Sequence, residues 1–199
     1  VNSGGTVHVA AGTYPENVVI NKSLTLLGAG AGTTSVAPGT GSAILVRADD
    51  VTVTGFSVTS TDAWGLEMDG SSAVPYPAGG VNNLTVSEMV FEDGPQGFFI
   101  GNGATTSNVL ITESELSTSD YGLAISGTAT VVDGLTISNS IFNNGGVAGF
   151  SIDDATVNSL LIQDSEFVSS PGFALFFSEA KIAPFTFERS LVRGNLGGV

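Results

Sequence analysis

The chain contains no cysteine. That excludes a disulfide frame, a thiolate zinc site, an iron–sulfur cluster and a cysteine nucleophile. Bases are scarce as well: five Lys and Arg stand against nineteen Asp and Glu, for a net charge of −14. A surface of that sign repels phosphate backbones and anionic lipid, so nucleic-acid binding is excluded, while cations are attracted. The sole histidine is His8. No run approaches the ~18 apolar residues of a membrane span, so membrane insertion is not expected. Charged residues total 12%, about half the ~25% of an ordinary soluble domain. Segments mixing Ala, Leu, Glu and Lys, from which surface helices are made, are correspondingly few. The absence of cysteine together with scarce lysine leans towards an extracellular or cell-surface protein.

What the chain does have is 42% hydrophobic residues, 27 glycines, and polarity drawn from Ser, Thr and Asn. That is a composition of strands and turns. Self-similarity supplies the organisation. LTVSEMVF from Leu84, VLITESEL from Val109, LTISNSIF from Leu135, LLIQDSEF from Leu160 and FTFERSLV from Phe185 align without gaps. Their starts lie 25, 26, 25 and 25 residues apart. Val86, Ile111, Ile137, Ile162 and Phe187 form one inward column, and Phe91, Leu116, Phe142, Phe167 and Val192 another. Val51-Thr52-Val53 with Phe56 is read as an earlier pass, and Leu24-Thr25-Leu26 as the one before it. A second short strand, opened by glycine, follows each pass: Gly65-Leu66-Glu67-Met68, Gly97-Phe98-Phe99-Ile100, Gly122-Leu123-Ala124-Ile125, Gly149-Phe150-Ser151-Ile152 and Gly172-Phe173-Ala174-Leu175.

A unit of about 25 residues cannot bury its own apolar side, but stacked copies bury it against one another. The sequence therefore predicts an all-β fold, a parallel β-helix with coils of about 25 residues. One domain spans 1–199, with opening coils at 1–47, regular coils at 48–199 and a loop insertion at 71–80. It is expected to be part of a longer protein or assembly. Self-association through the β-helix ends is expected too, because no capping helix or charged run covers Phe185 and Phe187.

GTVHVAAGTYPEN at 5–17, followed by VVINKSLTLLGAG at 18–30, resembles the opening coils of right-handed parallel β-helix proteins of the pectin-lyase-like superfamily. The nearest tone is that of its NosD-like and surface-protein members. The resemblance implies the right-handed solenoid, and it brings lyases, hydrolases, esterases and epimerases of acidic polysaccharides into consideration. Their apparatus is not found. A polygalacturonase-like site needs Gly-His-Gly and Arg-x-Lys elements, and the chain has neither; Asp153-Asp154 is then an outward turn pair. A pectinesterase-like site needs two aspartates and an activating glutamine, and neither Gln96 nor Gln163 lies in such a motif.

A lyase-like site would hold Ca²⁺ on carboxylates and use an arginine base. Glu88, Glu113, Asn139, Asp164 and Arg189 share one repeat position and should stack in successive coils. The plain reading is a solvated turn column, with Arg189 paired to Asp164 or Glu188. The functional reading is a weak Ca²⁺ site at Glu88, Glu113 and Asp164, made of the oxygen ligands that cation prefers.

Two outward features remain. Thr25, Thr52, Thr85, Thr136 and Thr186 form a row interrupted by Leu110 and Leu161, the kind of face ice-binding proteins use but also one that exposed strands favour by β-branching alone. Trp64, Tyr76, Phe99 and Tyr121, with Phe176, form an outward aromatic set suited to stacking on a sugar ring. These four residues, Trp64, Tyr76, Phe99 and Tyr121, are the candidate ligand-binding residues. No catalytic residue is assigned, and no cofactor is expected beyond Ca²⁺. The expected function is an extracellular, non-catalytic β-helix module with a structural or adhesive role and a glycan as partner. The alternatives are a polysaccharide lyase-like enzyme or a fragment of one, and a subunit of a viral spike or surface filament.

Overall fold

The computed structural model describes residues 1–70, 77, 80–144 and 146–197. Among these there are twenty-two strands and no helix. Every pairing between them is parallel, from Gly5↔Leu24 at one end to Leu160↔Phe185 at the other. The pairings Leu84↔Val109, Val109↔Leu135 and Leu135↔Leu160 reproduce the 25- and 26-residue repeat residue for residue.

Three faces run along the solenoid. The first is an eight-stranded sheet from Gly5–Val9 to Lys181–Glu188. The second runs from Gly12–Tyr14 through Val90–Glu92 and Glu115–Ser117. The third runs from Val18–Ile20 through Trp64–Asp69, Gln96–Gly101, Tyr121–Ser126 and Ala148–Asp153. The long strand Glu166–Ser178 pairs with both, so the second and third faces form one continuous sheet there.

Period-2 alternation decides what points inward. On the first face Val86, Ile111, Ile137 and Ile162 are fully buried. Leu66, Phe98, Leu123 and Phe150 fill the core from the third face, and Phe91, Leu116, Phe142 and Phe167 from the second. Equivalent residues stack on their copies one coil away, as in the 4.6 Å stack of Phe142 on Phe167. Burying each such side chain contributes about 1.5–3 kcal/mol, which a single coil could not collect alone.

One expectation is refined. The eight-residue passes are not single strands, because the chain turns a corner in the middle of each. At Glu88, Glu113, Asn139, Asp164 and Arg189 φ is 52°, 50°, 48°, 49° and 45°, the left-handed region. Gly55, φ 78°, makes the same corner one coil earlier. Phe56 therefore aligns with Met89, and the coil-equivalent of Phe91 is Val58. Left-handed backbone costs a non-glycine residue about 1–2 kcal/mol. A serine ladder offsets it: the hydroxyls of Ser114, Ser140, Ser165 and Ser190 each donate to the carbonyl two residues back across the corner. Each also accepts an N–H from the preceding coil, those of Met89, Ser114, Ser140 and Ser165.

Candidate functional site

The third face positions the site. Its outward residues alternate with the buried ones, giving one column of Glu67, Phe99, Ala124, Ser151 and Phe176 and a second of Asp69, Gly101, Ser126, Asp153 and Ser178. In the first column two large rings flank two small residues. Ala124 and Ser151 become a floor, and Phe99 and Phe176 stand three coils apart, roughly 14 Å at the ~4.8 Å parallel-strand spacing. Trp64 and Tyr121, at the start of their strands, close one side. Ser126 and Asp153, at strand ends, close the other. These eight residues line a groove of about 190 Å³.

Local sequence explains the geometry. The Trp64 indole stacks on the Phe99 ring at 4.6 Å and 14°, and Tyr121 is tilted against it at 6.2 Å. Phe99 can lie down because its neighbour along the strand is glycine: a Cβ on Gly101 would meet the Phe99 ring tip at 2.0 Å. Trp64 is held from behind. Its backbone N–H donates to the Ser42 hydroxyl at 3.4 Å, and that hydroxyl donates to the Glu67 carboxylate. Glu67 in turn pairs with Arg47 at 3.4 Å, where the Arg47 side chain is buried.

Of the sequence-derived candidates, Trp64, Phe99 and Tyr121 are brought together, and Phe176 joins them across the floor. Tyr76, and most of the 71–80 insertion, lie outside the described residues. The sequence reading missed Ala124, Ser126, Ser151 and Asp153. The available signal was the run of outward residues two and four places after the opening glycine, Phe99, Ala124 and Ser151 and then Gly101, Ser126 and Asp153. The Gly172 strand departs from the expected alignment, because Phe173 pairs with Ala148 and Leu175 with Phe150, so that Phe176 rather than Ala174 follows Ser151. Asp153 and Asp154 are not an equivalent pair: Asp153 closes its strand and lines the groove, whereas Asp154 is a left-handed corner at φ 55°.

The acidic column occupies the corner between the first two faces. Glu88, Glu113 and Asn139 border one shallow hollow, and Asn139, Asp164 and Arg189 the next. Arg189 donates to both oxygens of Asp164 at 2.7 Å and to Glu188 at 3.2 Å, so it pairs with both expected partners. The hydrogen bonds from Arg189 hold the Asp164 carboxyl below its ordinary range, and the same bonds raise the guanidinium. Among the described residues no group of three or more His, Asp or Glu converges closely enough to hold a metal ion. On the first face the Thr row lies in register, Thr25↔Thr52↔Thr85 and Thr136 between Leu110 and Leu161, as the repeat implied.

The fold is similar to that of an alginate lyase from Paenibacillus sp. str. FPU-7, at 12% identity and TM-score 0.43 over 98% of this chain and 93% of that one. It is similar as well to pectin methylesterase PemA from Erwinia chrysanthemi, at 9% identity and TM-score 0.44 over 94% and 72%. No curated protein matches the chain. The profile described as "Right handed beta helix region" matches residues 35–195. That span holds nearly all of the regular coils, the corner column and every residue of the groove, and the chain belongs to the right-handed β-helix family.

Proposed function

We propose that the chain is an extracellular carbohydrate-contacting module that holds a glycan against its third face without cleaving it. The observation that carries this reading is the convergence of Trp64, Phe99, Tyr121 and Phe176 around a floor of Ala124 and Ser151. Flat apolar rings beside hydroxyl and carboxylate acceptors match the two surfaces of a pyranose, its C–H face and its hydroxyl edge. Binding without cleavage is supported by the groove's chemistry. Asp153 is its one carboxylate. Acid–base chemistry on a glycosidic bond calls for two such groups, or for a base beside a metal. The arginines that could serve as a lyase base are committed elsewhere: Arg189, at the corner between the first two faces, pairs with Asp164 and Glu188, Arg47 with Glu67 and Arg193 with Glu166.

Trp64 is the chain's sole tryptophan, so its fluorescence reports on the groove directly. A glycan array followed by fluorescence titration should find a ligand that shifts Trp64 emission saturably. Trp64→Ala (read by calorimetry) and Phe176→Ala should each weaken that ligand roughly tenfold, as loss of a stacking ring does. Far-UV circular dichroism should be unchanged in both variants. Affinity indifferent to both substitutions, or the appearance of new reducing or unsaturated ends during incubation, would overturn the reading.

A further inference from the structure

We infer that Asp153 makes the groove selective against acidic sugars, so that its occupant is a pyranose unit bearing no carboxylate and offering hydroxyl or amine donors. This rests on the carbohydrate reading and names the class of sugar. At about 190 Å³ the groove is smaller than the ~300–1,000 Å³ of pockets that enclose drug-sized ligands, and it suits a single ring. Three sides of that ring would meet aromatic carbon or the small floor. The polar contacts are left to Ser126, Ser151 and Asp153.

Asp153 is exposed, and among the described residues its carboxylate makes no hydrogen bond or ion pair. An acceptor with unfilled lone pairs facing aromatic rings recognises donors, through charge-assisted hydrogen bonds. A uronate would instead bring a second carboxylate beside it, with nothing to neutralise either. The chain's five basic residues are all placed elsewhere. Lys22 lies between strands, Lys181 opens a strand of the first face, and Arg189 turns the acidic corner. Arg193 is paired with Glu166 at 2.9 Å, and Arg47 is buried on Glu67. None lines the groove, and the net charge of −14 repels an acidic chain at longer range as well.

The test uses oligosaccharide pairs that share one backbone and differ only at C6, hydroxymethyl against carboxylate, such as cello-oligosaccharides and their C6-oxidised forms. Binding to the 199-residue chain is followed by Trp64 fluorescence and calorimetry. The neutral member should bind about fivefold or more tightly, the worth of one close like-charge contact near water. That ratio should shrink in about 0.5 M salt, where screening shortens to a few ångström. Asp153→Asn should narrow the ratio and Asp153→Lys should invert it, both with unchanged melting temperature. Equal or tighter binding of the acidic member by the wild type overturns the selectivity while leaving the carbohydrate reading standing. So does a ratio unmoved in both variants. Failure of both members to bind, across backbones of several linkages, overturns the carbohydrate reading and the selectivity with it.

Discussion

Gly65, Gly97, Gly122 and Gly149, each near the start of its strand on the third face, are demanded by the neighbour one coil on. A Cβ on Gly97 would sit 2.3 Å from the carbonyl oxygen of Gly122, and one on Gly122 would sit 2.4 Å from that of Gly149. Neither atom is the free end of a flexible side chain, so the backbone itself must give. Gly122→Ala is therefore expected to cost about 1–3 kcal/mol, the range of an overpacked core position, and a urea melt reads it directly. A midpoint equal to wild type would show that the coils separate more easily than their spacing implies. The Asp164–Arg189 pair shows the opposite, a good geometry worth little. Its side chains are 37% and 61% exposed, so solvent screens them. The folded Asp164 carboxyl titrates below its unfolded value because Arg189 donates to it. Its stabilising contribution is thus complete above the unfolded pKa of about 3.9 and disappears as pH falls through the lower folded one. A carboxyl-carbon NMR titration should place Asp164 below the exposed aspartates, and Arg189→Ala should return it to the ordinary range. A midpoint unmoved by that substitution would assign the shift to something else.

Strands here are defined by neighbours on both sides. Ile137 pairs with Ile111 before it and Ile162 after it, all fully buried, while Thr136 lies outward between Leu110 and Leu161. Adjacent residues on one strand consequently tolerate charge very differently. Ile137→Asp places an unpaired carboxylate in the core at a cost of several kcal/mol, and Thr136→Asp should cost about 1 kcal/mol or less. Thermal unfolding of the two variants checks the register, and equal shifts would refute it. At the corners an element is held by backbone-directed hydroxyls more than by side-chain charge. The serine ladder satisfies a donor in the preceding coil and an acceptor across each turn. A lost buried bond of this kind costs about 1–3 kcal/mol, more than the exposed ion pair beside it contributes.

The whole molecule is a stack whose residues meet equivalents one coil away, so its first and last described coils differ from the rest by having a neighbour on one side only. Lys181–Glu188 pairs only with Thr156–Gln163. There Phe185 is 44% exposed and Phe187 37%, whereas their equivalents one coil earlier, Leu160 and Ile162, are 1% or less. Unpaired strand edge next to exposed phenylalanine favours the addition of another chain. Light scattering on the 199-residue chain should show mass rising with concentration, and Phe185→Ser with Phe187→Ser should suppress the rise. A constant monomer mass would show that net charge of the same sign on every copy outweighs the apolar contact.

The 25-residue repeat, the inward columns and the parallel pairing were legible in the sequence because stacking imposes the same demand at every coil. Ile111, Ile137 and Ile162 recur where one column must be apolar, so one physical requirement is written several times. The corner was legible as a column of polar residues, but its division of each pass into two strands was not. Glu and Arg disfavour left-handed backbone, and only the fold, with serine bridging the turn, holds them there. The aromatic side chains of the groove could be chosen from their outward phase alone. Its shape could not, since a hollow depends on what stands between Phe99 and Phe176 across three coils and on Gly101 letting a ring lie flat. Asp153 illustrates the limit best: its neighbour Asp154 reads the same in the sequence, yet one closes a strand beside aromatic rings and the other turns away. Periodicity determines which way a side chain faces, and only the tertiary stack decides which residues from different coils face one another across a shared space.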